Sequence, residues 1–207
     1  MEKIVITIGR QLGSDGRKIG RMLAERLGIP FYDKELIVEA AKESGLSEKM
    51  FENSDEKPTN SFLYSLVMSM QPGTGLYNHY SDFLNSDHIF KIQSDVIKKV
   101  AQNGSCIVVG RCADYVLRET EGVIRIFIYA DVETRTKRIA IRDGVDEKKA
   151  KTAVLKADKK RGNYYNFYTN QEWGDAKNYD LSVDSAKLSA EAIVKLLEDY
   201  VNLRKNS

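Results

Sequence analysis

The chain has 207 residues, of which 42% are hydrophobic and 30% charged, with a formal net charge of +2 and two cysteines. That length suits one domain, residues 1–207, carrying an insertion, and the near-balance of charge excludes a surface built throughout for nucleic acid. No apolar run approaches the eighteen or so residues of a membrane span, and the first strand starts too early for a signal peptide, so a cytoplasmic protein without membrane attachment is expected.

Ile4-Val5-Ile6-Thr7-Ile8 is a β-branched run that stops at a turn rich in Gly, Ser and Asp, after which Ile19, Leu23 and Leu27 fall on one helical face. Strand, glycine-bearing loop and helix, in that order, make a phosphate cradle. Backbone amides can converge on phosphate oxygens where no Cβ intervenes, and the helix N-terminus adds partial positive charge. Gly13, Ser14, Asp15, Gly16, Arg17 and Lys18 are the candidate phosphate-binding residues, with Arg17 and Lys18 supplying cations. Set on the pattern G-x-x-x-x-G-K-[ST], Gly16 takes the second glycine, Gln11 the first, Arg17 the lysine and Lys18 the hydroxyl position. A guanidinium can hold phosphate through two donors, but an ammonium cannot ligate magnesium, which leaves Ser14 as the candidate Mg²⁺ ligand. The competing reading is a tight turn between strand and helix that binds nothing.

Gly28-Ile29-Pro30 ends the first helix, Phe31-Tyr32 is a very short strand, and Asp33 is placed both to cap the next helix and to face a ligand at the strand's carboxyl end. Residues 44–85 break the rhythm and read as a helical insertion on the acceptor side. From Ser86 an amphipathic helix carries Ile89, Ile92, Val96, Ile97 and Val100 to Asn103-Gly104. Cys106-Ile107-Val108-Val109 is apolar throughout, as a strand buried on both faces must be, and Arg111 follows Gly110 at its carboxyl end as an anion-binding candidate. The two cysteines lack the spacing of a zinc site or a disulfide framework.

Val123 to Tyr129 is the next buried strand. Between Arg135 and Arg161 eleven basic residues face four acidic ones, so the positive charge of the chain is concentrated there. Arg135, Arg138 and Arg142 share one helical face at i, i+3 and i+7, and guanidinium forks suit phosphate. Asp158, Arg161 and the aromatic stretch Tyr164 to Thr169 follow, within a lid region assigned to 142–175 whose tyrosines are expected to pack on the body rather than stack nucleic-acid bases. A last strand, Tyr179 to Val183, and an amphipathic helix through Ile193, Leu196, Leu197 and Tyr200 close the chain. Five strands alternating with helices predict an α/β fold around a parallel sheet.

Ile8-Gly9-Arg10-Gln11, Gly13 to Arg17, Phe31-Tyr32-Asp33-Lys34-Glu35-Leu36-Ile37, Val109 to Ala113 and Asp158-Lys159-Lys160-Arg161 with Tyr164-Tyr165 together resemble the cytidylate kinase-like family. The resemblance implies a three-layer P-loop NTPase fold with an arginine-bearing lid, ATP and Mg²⁺ as cofactors, and a small nucleotide as acceptor, most plausibly a nucleoside monophosphate such as CMP. It places ATP phosphates on Gly13 to Lys18 and the acceptor on Asp33 and Arg111, with Asp114 substituting for the aspartate replaced by Cys112. It gives Arg17, Arg135, Arg138, Asp158 and Arg161 to catalysis, where arginines spread over the charge of the transferred phosphoryl group. Two alternatives stay open: a kinase for another small molecule, and a nucleotide-binding regulator with weakened turnover. The sequence leaves the oligomeric state open, a homodimer included.

Overall fold

The computed structural model describes residues 3–37 and 76–205. Five strands, β1 (Val5–Arg10), β2 (Phe31–Tyr32), β3 (Cys106–Val109), β4 (Val123–Tyr129) and β5 (Leu181–Asp184), form one sheet. All its pairings are parallel, in the order β2-β3-β1-β4-β5. The longer helices are α1 (Gly16–Leu27), α2 (Leu76–Asn103), α4 (Val132–Asp143), α5 (Glu147–Thr169) and α6 (Ala190–Lys205), with one short turn of helix, α3 (Ala113–Val116), after β3.

Parallel strands need crossovers, and the crossover helices cover both faces of the sheet, so its strands are apolar on both sides. Alternation along β1 shows the two layers. Ile6 and Ile8 face Ile19 and Leu23 of α1 and Ile193 and Leu197 of α6. Val5 faces the other way, into a layer with Ile97 and Ala101 of α2 and Val116 of α3. Each isoleucine so buried contributes about 1.5–3 kcal/mol.

Local punctuation places the two helices that carry the locally concentrated basic charge, 11 of the 32 Lys and Arg residues. Asp131 caps α4 by accepting from the Thr134 amide at 2.8 Å, which also holds the Asp131 carboxyl below its ordinary range. Gly144, at φ 64°, ends α4, and Asp146 caps α5 by accepting from the Lys149 amide at 2.8 Å. The result is a helical hairpin standing beside the carboxyl end of the sheet.

Two expected boundaries differ. The helix placed from Ser86 onward runs unbroken from Leu76, because neither proline nor glycine occurs between 76 and 85 and Asn85-Ser86 is too weak a breaker to stop it. The rest of the 44–85 insertion lies outside the described residues up to 75. The last strand begins at Leu181 rather than Tyr179, since a 3₁₀ turn, Ala176–Asn178, leads into it and the Tyr179 ring packs on Phe127 with centroids 4.8 Å apart.

Candidate active site

β1 delivers the chain to a loop, Gln11 to Asp15, that is fixed at its edges and open at its centre. The Gln11 amide donates to Ile128 at 3.1 Å, and the Gln11 side-chain oxygen accepts from the Ala130 amide at 3.2 Å. Gly13 sits at φ 80°, and a Cβ there would lie 2.8 Å from the Arg135 carbonyl oxygen. Gly16 likewise admits no side chain, since its Cβ would lie 2.6 Å from that of Arg10. The ladder of α1 starts with the Ile19 amide donating to Asp15 at 2.9 Å, so the amides of Gly16, Arg17 and Lys18 are first-turn donors with no carbonyl of the helix to meet. Amides so placed can donate to an anion such as a phosphate group. Ser14 is different: it is fully buried and its hydroxyl donates to the Gln11 carbonyl at 2.9 Å. It braces the loop, and the expected magnesium role does not fit it.

Arg135 and Asp158 also turn out to support the cradle from behind. Arg135 is 3% exposed, donates to Ala130 at 2.9 Å and to Leu12 at 3.2 Å, and meets Asp158 at 2.5 Å. The other Asp158 oxygen accepts from the Leu12 amide at 3.2 Å. Neither residue lines the cleft in front of the loop, so the catalytic placement expected for both is corrected to a structural one. Breaking such a pair leaves a buried charge without compensation, which costs ~3–5 kcal/mol.

The cleft itself is about 990 Å³ and opens at the carboxyl ends of β1 and β2. Eight of its lining side chains are basic and three acidic, so it suits a polyanion. Arg138 and Arg161 both line it. Arg138 donates to Ser185 and to the Gly13 carbonyl and lies 3.6 Å from Asp15, while Arg161 donates to the Arg10 carbonyl at 3.2 Å. Arg10, Arg21, Lys34 and Glu35 also line it and were not singled out from the sequence. Arg21 could have been, because it stands one helical turn beyond Arg17 on the same face.

On the opposite wall Arg17 bridges two carboxylates. Its guanidinium lies 2.7 Å from Asp33 and 2.7 Å from Glu35, with Arg21 at 3.7 Å from the same Asp33 oxygen. Asp33 lines the cleft and accepts from the Leu36 amide at 3.4 Å in the turn beginning at Lys34. Burial works to raise the Asp33 carboxyl, but the hydrogen bonds from Arg17 and the Leu36 amide outweigh it and hold it below the ordinary range.

Behind the cleft, Gly110, Arg111 and Cys112 follow one another at φ 79°, 58° and 54°. Two non-glycine residues in the left-handed region cost about 1–3 kcal/mol each, so this turn is over-determined by its surroundings. Arg111 is buried and lines a smaller cavity of about 30 Å³, whose walls also include Arg10 and Arg161. Asp114 is buried too, and its carboxylate accepts from the Tyr165 hydroxyl at 2.6 Å. Burial pushes both groups up, Asp114 above the ordinary carboxylate range and Tyr165 far above that of a phenol. Neither Arg111 nor Asp114 lines the large cleft; both line the smaller cavity.

The donor set therefore fits nucleotide phosphates: vacant helix amides, glycines where side chains would collide, and guanidinium groups from three directions. It does not assemble a magnesium site of protein ligands. Ser14 is turned inward, and among the described residues no three His, Cys, Asp or Glu side chains gather to hold a metal.

Residues 5–187 match the sequence profile of the cytidylate kinase-like family. Among curated proteins, the chain is 24% identical over 209 residues to a cytidylate kinase of Pyrococcus horikoshii, covering 97% of this chain and 91% of that one. It is 27% identical over 203 residues to the cytidylate kinase of Methanococcus vannielii, covering 96% and 99%. Among solved structures it resembles an uncharacterized protein from Eubacterium ventriosum, with a TM-score of 0.73, 31% identity and coverage of 97% and 99%. It also resembles a shikimate kinase from Bacteroides thetaiotaomicron, with a TM-score of 0.57, 12% identity and coverage of 97% and 99%, a likeness that bears on fold alone. The five-stranded parallel sheet is thus that of P-loop kinases, and the chain belongs to the cytidylate kinase-like family.

Proposed function

We propose that the protein transfers the terminal phosphoryl group of ATP to a small phosphorylated acceptor, most simply a nucleoside monophosphate such as CMP, in the cytoplasm. The observation that carries this reading is the convergence of the vacant α1 amides and the guanidinium groups of Arg17, Arg138 and Arg161 on one cleft of about 990 Å³. In this reading residues 1–207 act as one kinase domain, with 44–85 as the acceptor-side element and 142–175 as the lid. Gly13 and Gly16 keep the loop backbone clear, so the amides of Gly16, Arg17 and Lys18 donate to the ATP phosphates. Arg138 and Arg161, on the two helices of the hairpin, offset the charge that spreads over the phosphoryl oxygens as the bond to the leaving oxygen lengthens. Arg17 leaves Glu35 for the phosphates, and Asp33 keeps that guanidinium aimed along the acceptor wall. Catalysis is positioning and charge neutralisation, and no covalent nucleophile is needed. Magnesium, carried on the nucleotide phosphates, would neutralise part of their charge.

The test is ADP release from ATP and Mg²⁺ with CMP, dCMP, UMP, AMP and GMP offered separately. Turnover with one acceptor, lost in Arg17→Ala, is the expected result and names the substrate. ATP binding without turnover on any of the five would remove the nucleoside monophosphate and point to another acceptor or to a nucleotide-sensing role.

A further inference from the structure

Asp114 and Tyr165 are buried ionisable groups that the phosphoryl-transfer scheme does not use. They are 51 residues apart in sequence, and their 2.6 Å hydrogen bond joins the turn after β3 to the C-terminal end of α5. Each stands beside an arginine. Asp114 follows Arg111 by three residues, and Tyr165 follows Arg161 by four, one helical turn along α5.

We infer that Asp114 and Tyr165 are positioning residues, a latch that holds the Arg111 turn and the Arg161 helix at one separation. Four observations carry it. Arg111 and Arg161 both line the cavity of about 30 Å³, so the separation of the two segments sets the spacing of these two side chains. The turn bearing Arg111 runs through consecutive left-handed residues, a conformation that persists only if something outside the turn holds it. Tyr165 packs with Cys112 of that turn and with Tyr164 and Trp173, so the ring is fixed and the hydroxyl can be aimed. The backbone behind it is fixed too, since the Thr169 hydroxyl donates to the Tyr165 carbonyl at 2.7 Å. An apolar pair would fill the same space, but only a hydrogen bond gives the contact a direction.

The cradle is held separately, by Arg135 and Asp158. Loss of the latch therefore acts selectively: it alters the geometry around Arg111 and Arg161 and spares the loop at Gly13 to Lys18. The kinetic consequence rests on the phosphoryl-transfer reading, whereas the mechanical one does not.

Amide hydrogen exchange on the whole, ligand-free protein tests the mechanical part. Tyr165→Phe should speed exchange about tenfold in both 110–117 and 162–169, with the amides of 13–19 unchanged. Exchange that rises in one segment only, or equally throughout the chain, overturns the latch. Steady-state kinetics test its consequence. Tyr165→Phe and Asp114→Ala should each lower kcat/KM for the acceptor about tenfold and leave the KM for ATP within about twofold. Asp114→Asn, which keeps an oxygen for the phenol, should stay within about threefold of the parent, and the double variant should be no worse than either single one. Equal damage to the ATP and acceptor parameters marks a general loss of structure and overturns the assignment. A parent protein that turns over no acceptor defeats the phosphoryl-transfer reading instead, and the exchange experiment still decides on the latch.

Discussion

Two arginine–carboxylate contacts flank the phosphate loop, and they serve opposite ends. Arg135 and Asp158 are 3% and 15% exposed at the side chain, and between them they also bond Ala130 and both backbone groups of Leu12. Arg17 is 55% exposed, and one of its two partners, Glu35, is 62% exposed. The first contact has committed its donors to the fold. The second stands half in water, where an ion pair is worth about 0–1 kcal/mol, so a phosphate can displace Glu35 at little cost. Burial, rather than charge, separates the arginine that braces the loop from the one left facing the cleft.

The sharpest way to break that comparison is Arg135→Ala. It should destabilise the protein by ~3–5 kcal/mol, leaving Asp158 beside the cradle without its partner, and lower the thermal midpoint by roughly 6–20 °C for a chain of this size. A loss near that of an ordinary surface variant in denaturant unfolding would remove the structural assignment. Asp33 offers a test of intermediate size. Its carboxyl is held low in the folded protein, so its contribution is present above the unfolded value of about 3.9 and is lost as pH falls through the folded value. The midpoint of the parent should therefore drop more between pH 6 and pH 3 than that of Asp33→Asn, and parallel curves would refute the pairing with Arg17. The smallest effect is expected from Glu35→Gln. Stability should change by less than about 1 kcal/mol, while affinity for ATP rises about two- to threefold because Arg17 has one competitor fewer. Weaker ATP binding in that variant would mean that Glu35 aims Arg17 rather than occupying it.

Much of the scaffold was legible because burial leaves a periodic trace. Cys106 to Val109 has no polar position, and a strand covered on both faces has no other way to read. The cradle was legible from Gly13 and Gly16, whose absent side chains the structure requires. The fate of the arginines was not. Arg135, Arg138 and Arg142 share a helical face, yet the first is buried against the Leu12 carbonyl and the other two line the cleft. A period of 3.6 gives the direction of a side chain and not its depth. Asp158 was misplaced for a related reason: its contact with the Leu12 amide spans 146 residues, and nothing local announces it. Asp114 was assigned to substrate through the resemblance, as the substitute for the aspartate replaced by Cys112, and its bond to Tyr165 was not legible because that residue lies on a helix whose docking the sequence does not specify.

The side chain of Arg10 fills the space that a Cβ at Gly16 would enter, and its guanidinium lies against Gly110 in the same way. The two glycines are nevertheless kept for different reasons. At 16 the obstruction is the Cβ of residue 10, so a side chain there requires glycine at 10 and with it the loss of a cation shared by both cavities. At 110 the backbone itself, at φ 79°, opposes any side chain whatever residue 10 becomes. Arg10 and Gly16 should therefore be inherited together or exchanged together, while Gly110 should persist in either case.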